Sequence, residues 1–241
     1  MRLLLTRPEP DAERTAAALR ARGHAVIVAP LVRIETIAAA AAEIGSGPWA
    51  AILITSANAA SAAARHERYK ELFALPVFAV GERSAQAMRA AGFADATSAD
   101  GDLGDLVRLV AARLKPAAPL LYLAGADRSG DLAGRLGERG FVVRTVAVYR
   151  AIVADDLPHA AAAALTRGEV DGVLHFSRRS AAAFANAARG AGLAAGALEK
   201  PIHFCLSAQV AEPLAQAGVV DIRIAPKPAE AALIELISPA Q

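Results

Sequence analysis

Cysteine, lysine and aromatic side chains are scarce in this chain of 241 residues, and each shortage excludes something. With Cys205 as the single cysteine, no intramolecular disulfide can form. It stands in the apolar run Ile202-His203-Phe204-Cys205-Leu206, where a buried strand thiol is expected. The four lysines are Lys70, Lys115, Lys200 and Lys227, so arginine supplies most of the 26 basic residues, set against 24 acidic ones. A net charge of +2 without a basic run argues against a dedicated nucleic-acid binder, though not against local anion pockets. Aromatics make up 5%, so the core has to be built from Ala, Val, Leu and Ile. The histidines His24, His66, His159, His175 and His203 lack the paired spacing of a zinc site, and no metal is expected. No apolar run reaches the roughly 18–20 residues that cross a bilayer. The start Met1-Arg2-Leu3-Leu4-Leu5-Thr6-Arg7-Pro8 breaks too soon for a signal peptide. A cytoplasmic protein without membrane contact is the expectation. What is abundant is hydrophobic, 55% against 21% charged, which excludes a disordered polar chain. The length suits one or two domains.

The catalytic signatures that are missing narrow the chemistry. No Gly-x-Gly-x-x-Gly follows the first apolar run, and no Walker lysine loop occurs. Gly101-Asp102-Leu103-Gly104 is too short and too acidic for either. There is no Gly-x-Ser-x-Gly elbow and no Ser-His-Asp or Cys-His order. The Asp155-Asp156 pair before Pro158 reads as a solvated turn. An enzyme built this way works by positioning its substrate, without nucleotide, metal or cofactor.

The chain repeats itself in the order X, Y, X, Y. With Leu3 placed on Leu120, residues 3–32 align without a gap to 120–149, bringing Leu19 onto Leu136 and Gly23 onto Gly140. The second unit matches 51–56 to 172–177, Pro76–Gly81 to Pro201–Leu206, and Gly92–Asp95 to Gly218–Asp221. Each copy of that unit ends in an amphipathic stretch, 103–114 and 229–237.

Short aliphatic runs alternate with helical stretches. The pattern predicts strands at 3–7, 25–30, 50–55, 76–80, 120–124, 141–149, 171–176, 202–206 and 221–225. Helices are predicted at 11–22, 57–69, 84–91, 102–114, 130–139, 180–189 and 209–217. Asp11 with Gly23, Ser84 with Gly92, and Ser180 with Gly190 read as helix caps. Near-continuous apolar strands joined by helices imply two doubly wound parallel sheets. Two pairings satisfy the repeat. Either each domain is contiguous, or 38–147 is a domain of its own inserted between 1–32 and 154–241. The second pairing needs two crossings, and 33–37 and 148–153 alternate apolar and polar residues as an extended antiparallel ribbon would.

Ligands of doubly wound sheets bind beyond the carboxyl ends of the strands. Those ends carry Thr6-Arg7-Pro8, Thr55-Ser56-Ala57-Asn58, Gly81-Glu82-Arg83-Ser84, Gly125-Ala126-Asp127-Arg128-Ser129, Ser177-Arg178-Arg179-Ser180 and Ser207-Ala208-Gln209. Most lead into a helix start, whose free amides favour anions. Two facing sets of such loops describe a cleft suited to a polyanionic ligand.

In their order and spacing, Thr6-Arg7-Pro8, Thr55-Ser56-Ala57-Asn58-Ala59, Ala79-Val80-Gly81-Glu82-Arg83-Ser84-Ala85, the loop Leu123 to Arg128, Val148-Tyr149-Arg150 and Phe176-Ser177 resemble the uroporphyrinogen-III synthase family. The resemblance covers essentially the whole chain. It implies two doubly wound α/β domains joined by a two-stranded ladder, and so selects the inserted domain 38–147 with linker strands 33–37 and 148–153. It implies cyclisation of hydroxymethylbilane, with inversion of its fourth ring and loss of water, by a cofactor-free monomer. The expected partners are that substrate and, transiently, hydroxymethylbilane synthase. Tyr149 matches the family's functional tyrosine. Carried onto the loops, the resemblance makes Thr6, Arg7, Ser56, Ala57, Asn58, Gly81, Arg83, Ser84, Gly125, Arg128, Ser177, Arg178, Ser207 and Ala208 the expected substrate contacts. Ser84 stands where the family has threonine. In the second copy, Ser207 and Val210 replace a glycine and a threonine. The competing reading is a non-catalytic two-lobed module binding an anionic ligand or a tetrapyrrole.

Overall fold

The computed structural model describes residues 1–44, 47–64, 71–128, 130–193 and 195–237. In chain order the strands are β1 (Arg2–Leu5), β2 (Ala25–Val28), β3 (Val32–Thr36), β4 (Ala51–Ile54), β5 (Val77–Ala79), β6 (Ala96–Ser98), β7 (Leu120–Gly125), β8 (Val143–Val153), β9 (Gly172–His175), β10 (Ile202–Cys205) and β11 (Ile222–Ile224). The helices are α1 (Asp11–Arg20), α2 (Ala40–Ile44), α3 (Asn58–Ala63), α4 (Glu82–Ala90), α5 (Leu103–Arg113), α6 (Leu132–Gly137), α7 (His159–Thr166), α8 (Arg178–Gly190), α9 (Ala195–Glu199), α10 (Ala208–Gln216) and α11 (Glu230–Glu235).

The chain divides into two compact units, one of Met1–Arg33 with Ile152–Gln241 and one of Ile34–Ala151. The first holds a parallel sheet in the order β11-β10-β9-β1-β2. The second holds the order β3-β8-β7-β4-β5-β6, parallel from β8 to β6. The chain passes between the units within β3 and β8, which are neighbours in that sheet.

Strand alternation sends successive side chains to opposite faces, and in both units each face meets helices. Leu4, Val173 and Cys205 enter one cluster of the first unit, and Leu3, Leu5, Leu174 and Phe204 the other. In the second unit Ile52, Ile54, Leu121 and Leu123 face one cluster, and Leu53, Phe78, Leu120 and Tyr122 the other. Two covered faces explain why β4, β7 and β9 are buried throughout and read as unbroken apolar runs.

The duplication is visible in the strand registers. Leu3 pairs with Val26 as Leu120 pairs with Val143, and Leu3 pairs with Gly172 as Leu120 pairs with Ala51. One expected correspondence is corrected. Ile52 pairs with Val77, whereas its counterpart Val173 pairs with His203, so Val77 corresponds to His203 and not to Ile202. Pro76 and Pro201 lie in the turns before the strands, where length drifts freely. Within the strands a one-residue slip would turn every side chain to the wrong face. The corrected register puts Phe204 where Phe78 stands, and Ser207 and Val210 where Gly81 and Ser84 stand.

Other expectations shift as well. The strand expected at 141–149 and the linker at 148–153 are one continuous β8. β6, α2, α7 and α9 were not anticipated; α2 and α7 are alanine-rich and offer little contrast between faces. The helix expected over 57–69 is described as Asn58–Ala63, and 65–69 lie outside the described residues. Pro10 precedes α1, and Asp11 is its first residue. α4 starts at Glu82 with Gly81 at its cap position, so Ser84 sits inside the first turn. α8 is capped by Ser177, whose Oγ accepts from the Ser180 N–H at 3.1 Å. Gly23 and Gly92 end their helices at φ +84° and +105°, but Gly190 is still helical and Gly192, at φ +63°, takes that place.

Candidate active site

In the second unit the carboxyl ends of β4 and β7 and the middle of β8 enclose a pocket of about 190 Å³. Its walls include Thr55, Ser56, Tyr122, Arg128 and Tyr149. Tyr149 reaches it through a β-bulge. Ala124 pairs with Ala147 but Gly125 pairs with Tyr149, leaving Val148 as the extra residue. Val148 sinks into the core, and Tyr149 packs at the edge of the same cluster. The Ala126 N–H donates to the Tyr149 carbonyl at 2.8 Å and fixes the backbone there. A Cβ on Gly125 would lie 2.8 Å from Tyr149 Cζ and 2.9 Å from its Oη. Glycine is therefore what lets the phenol end lie against the strand.

Sequence reasoning did not single out Tyr122. It is the one residue of buried β7 with a polar tip, and its hydroxyl shares a hydrogen bond of 2.8 Å with Thr55 Oγ1. Burial is the main influence raising its phenol above the ordinary value. Tyr149 pushes the same way, while the Thr55 hydrogen bond and the Arg128 charge work against it. The signal was present, since a tyrosine inside an otherwise aliphatic buried strand needs a partner for its hydroxyl. Asp127, at the rim beside exposed Arg128, was likewise not named as a site residue.

The other expected residues of this unit divide by exposure. Ser56 Oγ accepts from the Asn58 N–H at 3.2 Å in the turn that leads through Ala57 into α3. Gly81 has extended backbone at φ −147°, with open space where a side chain would stand, and Arg83 is exposed one residue into α4. Ser84 is 6% exposed, and its counterpart Val210 is 5% exposed. The position thus faces the interior in both copies. A valine there is no loss of a surface hydroxyl, and the side chain of Ser84, expected as a substrate contact, is buried.

In the first unit, Thr6 is fully buried and donates from its hydroxyl to the Leu174 carbonyl at 3.2 Å. The Arg7 guanidinium lies 4.2 Å above the Phe176 ring and donates to Thr15, Asp11 and Glu230 at 2.9–3.0 Å. Both side chains, expected to face a ligand, are engaged within the unit. Burial works to raise the Glu230 carboxyl. Hydrogen bonds from Thr15, Arg7 and Arg14 and the Arg7 charge together outweigh it and hold the group below the usual range. Ser177 is exposed at the start of α8, and Arg178 donates from Nε to Glu212 at 3.2 Å. Ser207 precedes α10 with extended backbone and makes no capping bond through its side chain, while Ala208 opens the helix and is exposed.

Among the described residues no three His, Cys, Asp or Glu side chains gather as metal ligands, and no helix is long and apolar enough to cross a membrane. Cys205 is buried, which pushes its thiol up to about 12 and leaves it inert at neutral pH.

Residues 13–235 match the family model described as uroporphyrinogen-III synthase HemD. Among solved structures, a uroporphyrinogen-III synthetase from Helicobacter pylori is 19% identical over 98% of each chain, with a TM-score of 0.62. A mutant uroporphyrinogen III synthase from Thermus thermophilus is 19% identical over 98% of this chain and 96% of that one, with a TM-score of 0.54. At these identities the likeness is one of fold. No curated protein sequence matches.

Proposed function

The chain belongs to the uroporphyrinogen-III synthase family, whose reaction is the cyclisation of hydroxymethylbilane to uroporphyrinogen III, and we propose that Tyr149 is the group that starts this reaction here. The observation that carries the proposal is the bulge at Val148, which with Gly125 sets the phenol into the pocket shared with Thr55, Tyr122 and Arg128.

The reaction begins when the hydroxymethyl carbon loses its hydroxyl. Tyr149 donates a proton or a hydrogen bond to that oxygen, water leaves, and the electron pair of the pyrrole nitrogen forms an azafulvene. The substituted carbon of ring D then attacks the methylene and gives a spiro intermediate. Reopening and reclosure invert the ring, and a proton lost from the ring restores the pyrrole. Water is the only product besides the macrocycle, so no oxidant or reductant is consumed. Closure without inversion is the uncatalysed course, so selectivity rests on how the chain is held. In the second unit, exposed Arg83 and Arg128 and the backbone amides that follow Ser56 and Gly81 suit carboxylates of the substrate; in the first, exposed Arg178 and the amides that follow Ser177 and Ser207 offer the same chemistry.

The same reading takes 38–147 as a domain inserted into 1–32 plus 154–241, acting as a cytoplasmic monomer without metal or cofactor. Because free hydroxymethylbilane closes unaided to the wrong isomer, transient contact with hydroxymethylbilane synthase would shorten its exposure to water.

Tyr149→Phe tests the assignment. Turnover is expected to fall about 10- to 100-fold, near the floor for a lost general acid, because hydroxide leaves readily from an electron-rich pyrrole. The remaining product should still be isomer III, since pose and not proton transfer sets the isomer. Steady-state rates with isomer analysis decide the matter. A fully active variant removes the acid role, and a switch to isomer I with folding intact would make Tyr149 a determinant of pose.

A further inference from the structure

The hydroxyl pair Tyr122–Thr55 is not required by the fold. The duplication supplies an internal control, because the corresponding positions of the first unit are Leu5 and Phe176, two apolar residues. Leu5 is completely buried there, and Phe176 is covered by the Arg7 guanidinium at 4.2 Å, so the first unit closes at that point without a pair of hydroxyls. In the second unit the same place carries two hydroxyls 2.8 Å apart, at the wall of the pocket that Tyr149 enters.

Counting protons shows what such a pair presents. Two hydroxyls carry two hydrogens, and the bond between them uses one. Whichever oxygen donates, one O–H is left over, and among the described residues neither oxygen has another hydrogen-bond partner. The shared bond polarises the remaining O–H and makes it a better donor. Tyr122 stays protonated at neutral pH because its buried phenol is held above the usual range. A pocket wall with a fixed donor beside the Arg128 cation suits an acceptor-only group, an ionised carboxylate.

We propose that Tyr122 is a positioning residue: through its hydrogen bond with Thr55 it holds one O–H toward the pocket, where the pair binds a carboxylate of the substrate beside Tyr149. The proposal rests on the reading of this pocket as part of the synthase site.

Kinetics of Tyr122→Phe, Thr55→Val and the double variant, with enzymatically generated hydroxymethylbilane, test it. Each single variant should raise KM about 3-fold with kcat changed little, because the remaining hydroxyl keeps its O–H but loses the bond that orients and polarises it. The double variant should raise KM about 10-fold, the scale of one hydrogen bond to a charged group, because only there is no O–H left at the wall. Tyr149→Phe should instead lower kcat. A merely structural Tyr122 would reduce the active fraction and leave KM unchanged, and that result overturns the proposal, as would an unchanged KM in the double variant. If the unaltered protein formed no isomer III, the synthase reading itself would fall and take this proposal with it. Isomer III with an unchanged KM in Tyr122→Phe removes the role of Tyr122 alone.

Discussion

Replacing Arg7 with alanine is expected to lower unfolding stability by about 3 kcal/mol, the low end of what breaking a buried ion pair costs. The side chain is 10% exposed, and its guanidinium joins three elements: the exit of β1, the first two turns of α1 through Asp11 and Thr15, and the first turn of α11 through Glu230. Its face covers the Phe176 ring at 4.2 Å, so the variant also loses packing. Asp11 and Glu230 would be left crowded together, with Arg14 still against both at 2.8 and 3.3 Å. That residual partner keeps the expected loss at the low end. Glu230→Gln in the Arg7→Ala background should recover part of the stability by removing one of the two charges. Urea unfolding of the three proteins reads this directly. Unchanged stability with a raised KM would return Arg7 to the substrate, where its sequence motif had placed it.

Acid should destabilise the protein well before its carboxylates titrate. His175 and His203 are fully buried, stacked with ring centroids 5.3 Å apart, and joined by a hydrogen bond of 3.1 Å from Nε2 to Nδ1. The second contact of His203 sets the tautomers. Its Nε2 lies 2.9 Å from the Leu198 carbonyl and must donate, so its Nδ1 accepts from the His175 Nε2–H. His175 Nδ1 is left buried without a partner among the described residues. Each ring is thus built in as a neutral base. Burial pulls His203 down to about 4, and burial with the neighbouring ring holds His175 well below its ordinary value. In the unfolded chain both titrate near 6.5. Above that pH neither state binds these protons, and the contribution is flat. As pH falls below it, the unfolded state takes up protons that the folded state refuses, so stability declines until the folded rings titrate. Between pH 6 and 5 two such histidines predict a loss of about 2 kcal/mol. Equilibrium unfolding at several pH values checks this, and constant stability across that interval would contradict the neutral stack.

How much of this was legible depends on the distance over which each feature is decided. The strands show because a sheet covered on both faces turns every strand residue inward. The glycines at φ +84° and +105° after α1 and α4 mark helix ends for a reason local to the backbone. The repeat showed for the same reason, and Leu3 on Leu120 survives in the strand registers. Side-chain roles are decided elsewhere. Arg7 looks like an anion-binding loop residue until Glu230, 223 positions away, closes on it. Thr55 and Tyr122 meet across 67 positions, and neither is remarkable alone. Ser84 looks like a cap because a serine followed by a helical pattern is a cap signal. The helix in fact starts two residues earlier, at Glu82, after a cap position held by Gly81, whose extended backbone offers no capping side chain for the sequence to show. The bulge at Val148 was out of reach in the same way, since one unpaired residue inside an apolar strand changes register without changing composition.

The measurement that bears most directly on the account is incubation with enzymatically generated hydroxymethylbilane, followed by oxidation and isomer analysis of the porphyrin. Isomer III as the dominant product, without added metal or nucleotide, is the expected result. Isomer I alone at saturating protein would contradict it, because it would mean that the chain folds as a synthase does without holding ring D in the inverting pose.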